Sequence, residues 1–146
     1  MILTIFTSDY TAKADLRLIA VRTHTGDHKF FTSLDEFIPY FLGTDDKIVI
    51  GFNILKFDLP FLLLKSQDQK QFQEFFKKIN YANVIDLFTI LTFQNKGVIK
   101  GLDYHLQIHD LNRPPNDRDL LRNLPDTAGV AQKLDAIHDL YWKSKP

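Results

Sequence analysis

Asp58 is the residue whose surroundings in this chain most invite chemistry. It lies in the stretch Gly51-Phe52-Asn53-Ile54-Leu55-Lys56-Phe57-Asp58-Leu59-Pro60-Phe61-Leu62. The apolar run Lys47 to Phe52 reads as a buried strand, and a helix should begin near Phe57 with Pro60 in its first turn. A carboxylate placed there stands at the carboxyl end of a sheet, where open α/β folds carry their sites. It can ligate a hard divalent cation such as Mg²⁺ or Mn²⁺, which wants oxygen donors. It can also do no more than cap the helix. His105 and His109, four apart, could share a helix face as metal ligands. With no third ligand nearby, they read as two solvent-facing imidazoles. Phe72, Phe75 and Phe76 read as core contacts. Lys77-Lys78, Arg113, Arg118 and Arg122 read as solvated surface.

The elements that must position Asp58 follow from periodicity. Met1 to Thr7, Leu16 to Thr23 and His28 to Thr32 read as three antiparallel strands, with Thr25-Gly26-Asp27 turning the last hairpin. Ser33-Leu34-Asp35-Glu36 is a capping box, so a helix runs from there to about Leu42, with Pro39 an irregularity and Gly43 a stop. Asp68 to Ile79 patterns as a polar helix with one apolar face. Asn83 to Leu87 is a short strand entering a helical stretch that ends near Gly97. Gly101 to Ile108 is a short helix, Asn112 to Asn116 a loop, and Pro125 to Lys143 the last helix. That order describes one α/β domain, residues 1–146, with a mixed sheet flanked by helices.

Composition narrows the function classes. Eighteen basic residues balance eighteen acidic ones, so no overall positive field draws in a nucleic acid. A nuclease is not thereby excluded, because an acidic metal site offsets basic residues elsewhere. The absence of cysteine excludes disulfides, zinc-thiolate centres and thiol catalysis. No run approaches the ~20 apolar residues of a membrane helix, and the first residues lack the pattern of a signal peptide. The expectation is a soluble, cytoplasmic protein with no membrane association.

The stretch Gly51 to Leu62 resembles the second motif of the proofreading exonuclease domain of family B DNA polymerases and its relatives in the DEDD 3′–5′ exonuclease superfamily. In that motif a strand leads into Gly-aromatic-Asn, three residues, aromatic-Asp, an apolar residue, Pro and a further apolar run. Every element is present here. Val84-Ile85-Asp86-Leu87 and Gly101 to Leu106 are similar to segments that follow in the family, so the likeness covers nearly the whole chain. It implies a ribonuclease H-like fold, with three antiparallel N-terminal strands followed by parallel strands. It implies that Asp58 is catalytic and binds metal, that Asn53 and Phe57 touch the terminal nucleotides of a single strand, and that Mg²⁺ or Mn²⁺ is the cofactor if the domain is active.

The departures from the family lie in the other two motifs. Two-metal hydrolysis needs clustered carboxylates holding cations ~3.5–4 Å apart. Where the family's first motif has Asp-x-Glu, this chain has Thr7 and Asp9. Where its third has a final Asp with a Tyr or His four residues earlier, the first register gives Lys133 and Gly129. A shift of two offers Asp135 with Ala131, and Asp139 is a third option. The acids available are Asp58, Asp9 and Asp135, with Asp58 and Asp9 the ligands if a metal binds. Lys133 is expected to pair with Asp58 in the space a metal would fill. The resemblance therefore implies a catalytically impaired exonuclease-like domain that needs no cofactor and binds a 3′ end of DNA or RNA or a replication or repair protein. An active exonuclease with a reduced carboxylate set and a structural protein-interaction module are the alternatives.

Overall fold

The computed structural model describes every residue except Ala12, Gln67 and Pro146. A five-stranded mixed sheet has the order β3-β2-β1-β4-β5, formed by β1 (Ile2–Thr7), β2 (Leu16–Arg22), β3 (His28–Phe31), β4 (Ile48–Gly51) and β5 (Asn83–Asp86). β2 pairs antiparallel with both β1 and β3, whereas β4 pairs parallel with β1 and β5. The mixed α/β architecture read from periodicity is thus present.

Helices cover both faces of the sheet. α1 (Leu34–Gly43), α2 (Leu59–Lys65) and α3 (Gln69–Tyr81) pack on one side, and α4 (Leu87–Gln94), α5 (Leu102–Ile108), α6 (Asp117–Asn123) and α7 (Ala128–Ser144) on the other. β1 shows why the sheet must be covered twice. Its side chains alternate between Leu3 and Ile5, packed towards α1 and α2, and Ile2 and Phe6, packed towards α7, and all six residues are buried.

α1 begins at the capping box, where the Ser33 hydroxyl accepts from the Glu36 amide at 3.3 Å. Pro39 lies inside the helix. The far end is closed from another element, with Lys78 Nζ of α3 donating to the carbonyls of Phe41 and Thr44. Lys78 therefore does not point into solvent, as the charge pattern suggested. The apolar face of α3 is also narrower than its pattern. Phe75 is fully buried, but Phe72 and Phe76 are 39% and 50% exposed and stack on each other outside the core. His105 corrects a third expectation. It is 3% exposed, packed beside the Phe52 ring, and its Nε2 has no hydrogen-bond partner among the described residues.

The chain leaves β4 through an unusual passage. Asn53 adopts a left-handed conformation, with φ 64°. Ile54–Asp58 then forms one π-helical turn before α2. Gly51 makes this passage possible, because a Cβ there would overlap Ile54 Cγ2 and come within 2.9 Å of the Leu3 carbonyl oxygen. Gly51→Ala is expected to destabilise the domain by roughly 2–4 kcal/mol through overpacking. Urea denaturation measures this, and a loss under about 0.5 kcal/mol would mean that the passage relaxes freely.

Candidate functional site

β1, β4 and β5 run parallel, so all three end on the same edge of the sheet. A cleft of about 850 Å³ opens there, and it also takes in the loop before α6 and one side chain of α7. Its wall at Asn53 and Phe88 is held from behind by Asp86 at the end of β5. One Asp86 oxygen accepts from the Asn53 amide at 2.8 Å and the Phe88 amide at 3.0 Å, and the other from the Leu55 amide at 3.0 Å. A single buried carboxylate thus caps α4 and holds the left-handed corner in shape.

Asn53, Phe57 and Asp58 all face the cleft. Phe57 is half-buried and leans on Tyr10, with ring centroids 5.8 Å apart, and stacks on Phe61 at 5.7 Å. Phe52 and Phe88 form a second aromatic pair, edge to face at 5.5 Å. The amide oxygen of Asn53 is buried and accepts no hydrogen bond from any described residue. A buried acceptor without a donor carries a cost of about 1–3 kcal/mol, which a ligand bearing N–H or O–H groups would offset.

Asp58 is 8% exposed, and its carboxylate makes no cap bond to α2, so helix capping does not explain it. Burial pushes its carboxyl up to about 7, against the opposing pull of the Lys133 ammonium and the Ile5 amide. Lys133, itself 9% exposed, points into the same cleft. Its Nζ does not pair with Asp58, as the sequence suggested. It donates to Asp117 Oδ1 at 2.9 Å and lies 4.8 Å above the centre of the Phe6 ring. The reason is α6, which starts at Asp117 and brings a nearer carboxylate to the ammonium.

The other carboxylates are placed differently. Thr7 lines the cleft, but its hydroxyl donates to the Asp9 carbonyl at 2.5 Å. Asp9 stands at the exposed mouth, where Oδ1 accepts from the Thr11 amide and hydroxyl at 2.7 and 2.6 Å. These bonds hold its carboxyl below the usual range. Asp135 lies outside the cleft. It is held by Arg22 and by His28, 2.7 Å away, against the far strands β2 and β3. Asp139 pairs with its neighbour His138 at 3.0 Å. Next to Gly129, a Cβ would run into the Leu120 side chain, with Pro115 3.5 Å away, so α6 and the proline loop fill the space where a Tyr or His would project.

Two divalent cations do not fit this set of side chains. Thr7 is neutral, Asp9 is engaged with Thr11, Asp58 is held towards its protonated form, and an ammonium occupies the depth of the cleft. Among the described residues no three His, Cys, Asp or Glu side chains converge as a metal site. Asp86 behind the cleft wall, and Asp117 and Arg118 lining the cleft, were not singled out by the sequence. The first ends a strand and looks like an ordinary cap, and the other two belong to a helix whose signal is short. No family model, curated protein or solved structure matches the chain. No helix of the described residues is long and apolar enough to cross a membrane.

Proposed function

We propose that this chain is a ribonuclease H-like domain of the 3′–5′ exonuclease type that holds a single-stranded end of DNA or RNA in its cleft without hydrolysing it. The observation that carries the reading is the unpartnered, buried amide oxygen of Asn53 in the wall of a cleft that the Phe57 ring also lines. An aromatic ring and an unsatisfied acceptor in one cleft suit a nucleobase, which stacks on the one and donates its N–H groups to the other once the Asn53 side chain turns towards it. The sheet order β3-β2-β1-β4-β5, antiparallel for three strands and parallel beyond, supports the fold assignment. Thr7, Lys133 and the raised Asp58 carboxyl support the loss of hydrolysis.

The test is an incubation of labelled single-stranded DNA and RNA with the protein and Mg²⁺ or Mn²⁺, beside a titration of the same strands. The expected result is intact strands that bind in a salt-dependent manner, with Phe57→Ala lowering affinity by about tenfold. Shortening from the 3′ end that Asp58→Ala abolishes would instead establish an active exonuclease with a reduced carboxylate set. Failure to bind either strand would leave the protein-interaction module. One observation favours that second reading. The cleft is lined by Asp9, Asp58, Asp103 and Asp117 against only Arg118 and Lys133, a balance that repels phosphates.

A further inference from the structure

Lys133 enters the function proposed above only as an obstacle to hydrolysis, yet it is built into the cleft. It leaves the second turn of α7, a helix whose inward face is otherwise apolar at Val130, Leu134, Ile137 and Leu140. An ammonium in such a position is expensive to bury, and an apolar side chain of similar length would serve the packing as well. Instead its ammonium lies over the Phe6 ring, meets Asp117 directly and acts on Asp58 through space. Asp117, at the start of α6, accepts from Nζ at 2.9 Å. Asp117 is partly exposed, whereas Asp58, at the end of the π-turn, is a buried acid of the cleft, and the ammonium is the strongest charge favouring its ionised form. The π-turn, α6 and α7 thus all bear on one positive charge.

We propose that Lys133 is the resident cation of this cleft, its ammonium serving Asp58 and Asp117 in place of the divalent ions that the resemblance implies, so that the cleft takes no metal. The inference rests on the reading above for the comparison with metal-bearing relatives, but not for its own chemistry. A covalently tethered ammonium balances carboxylates without supplying open coordination positions or an acidified water. It also cannot be removed by chelation. A cleft organised in this way keeps its shape at any concentration of Mg²⁺.

The experiment uses the full chain and Mn²⁺ alone, with no nucleic acid, so its outcome is separate from that of the binding test. Mn²⁺ is titrated while the backbone amide signals of Asp58, Asp117 and Lys133 are followed for paramagnetic broadening, and affinity is read by calorimetry. In the unaltered protein these signals are expected to stay sharp. Lys133→Asp replaces the cation by a third carboxylate and is expected to tighten Mn²⁺ binding by about tenfold or more. Asp58→Asn in that background should cancel the gain. Lys133→Met, which keeps a side chain of similar length and loses only the charge, covers the event that the aspartate variant does not fold, and it should gain broadening at Asp58 and Asp117. Selective broadening of these signals in the unaltered protein would overturn the proposal. So would a folded Lys133→Asp or Lys133→Met variant that binds Mn²⁺ no better than the parent.

Discussion

Asp86→Ala is expected to cost about 3–5 kcal/mol, the loss of a buried charged acceptor that serves three backbone amides at once. The carboxylate is 4% exposed, and the amides of Asn53, Leu55 and Phe88 all lie within 3.0 Å of its oxygens. Truncation leaves three donors facing a small void with no replacement acceptor. Asp86→Asn keeps one oxygen but turns an NH₂ group towards a donor, so it should fall between the parent and the alanine variant. Urea denaturation gives the stability, and the amide signals of Asn53 and Leu55 give the local effect. A cost below about 1 kcal/mol for the alanine variant would mean that the corner is held by the π-turn itself and not by β5.

The second large effect concerns Asp58 and has a definite dependence on pH. Its carboxyl is pushed up to about 7 in the folded chain, first by burial, from an ordinary value of 3.8. Between those two values the folded state binds a proton that the unfolded state has released, so stability falls as pH rises through this window. Below it the acid imposes no penalty, and above it the full cost is present, at most about 4 kcal/mol. Asp58→Asn should therefore stabilise the domain by about 2–4 kcal/mol at about pH 8, and change it little at about pH 4. Denaturation curves for parent and variant at the two pH values check both sign and size. An asparagine variant that is less stable than the parent by the same amount at both would refute the idea of a carboxylate held against its charge.

How much of this was legible in the sequence depended on whether the signal was local. The strands, the Ser33 capping box and the α/β order could be read because each element carries its own pattern of two or 3.6. The stretch Gly51 to Leu62 was also legible as a unit, and Asn53, Phe57 and Asp58 share one cleft. The π-turn was not, since one inserted residue in a helix leaves no periodic mark. α6 was missed because seven residues after a pair of prolines give little pattern, although Asn116 followed by Asp119 is an N-cap signal whose bond is present at 2.9 Å. That omission led directly to the wrong partner for Lys133, because Asp117 was not known to stand at a helix start facing α7. Asp135 shows the limit of aligning a helix by register alone. Its partners Arg22 and His28 are more than a hundred residues away in sequence, and only the packing of α7 across β2 and β3 reveals them. His105 and the pair Phe72 and Phe76 fail in opposite directions, since helical spacing tells which residues share a face but not whether that face is covered.

β5 is the last strand of the sheet, paired on one side only. Edge strands are the part of a sheet that frays first, and fraying is ordinarily harmless to a site in the interior. Here the strand ends in the side chain that closes the corner at Asn53, so each excursion of β5 from β4 also withdraws the three-way acceptor that holds the cleft wall from behind. The rim of the sheet and the pocket in its middle then share one opening equilibrium. A molecule that zips onto the free side of β5 would tighten a cavity it never touches.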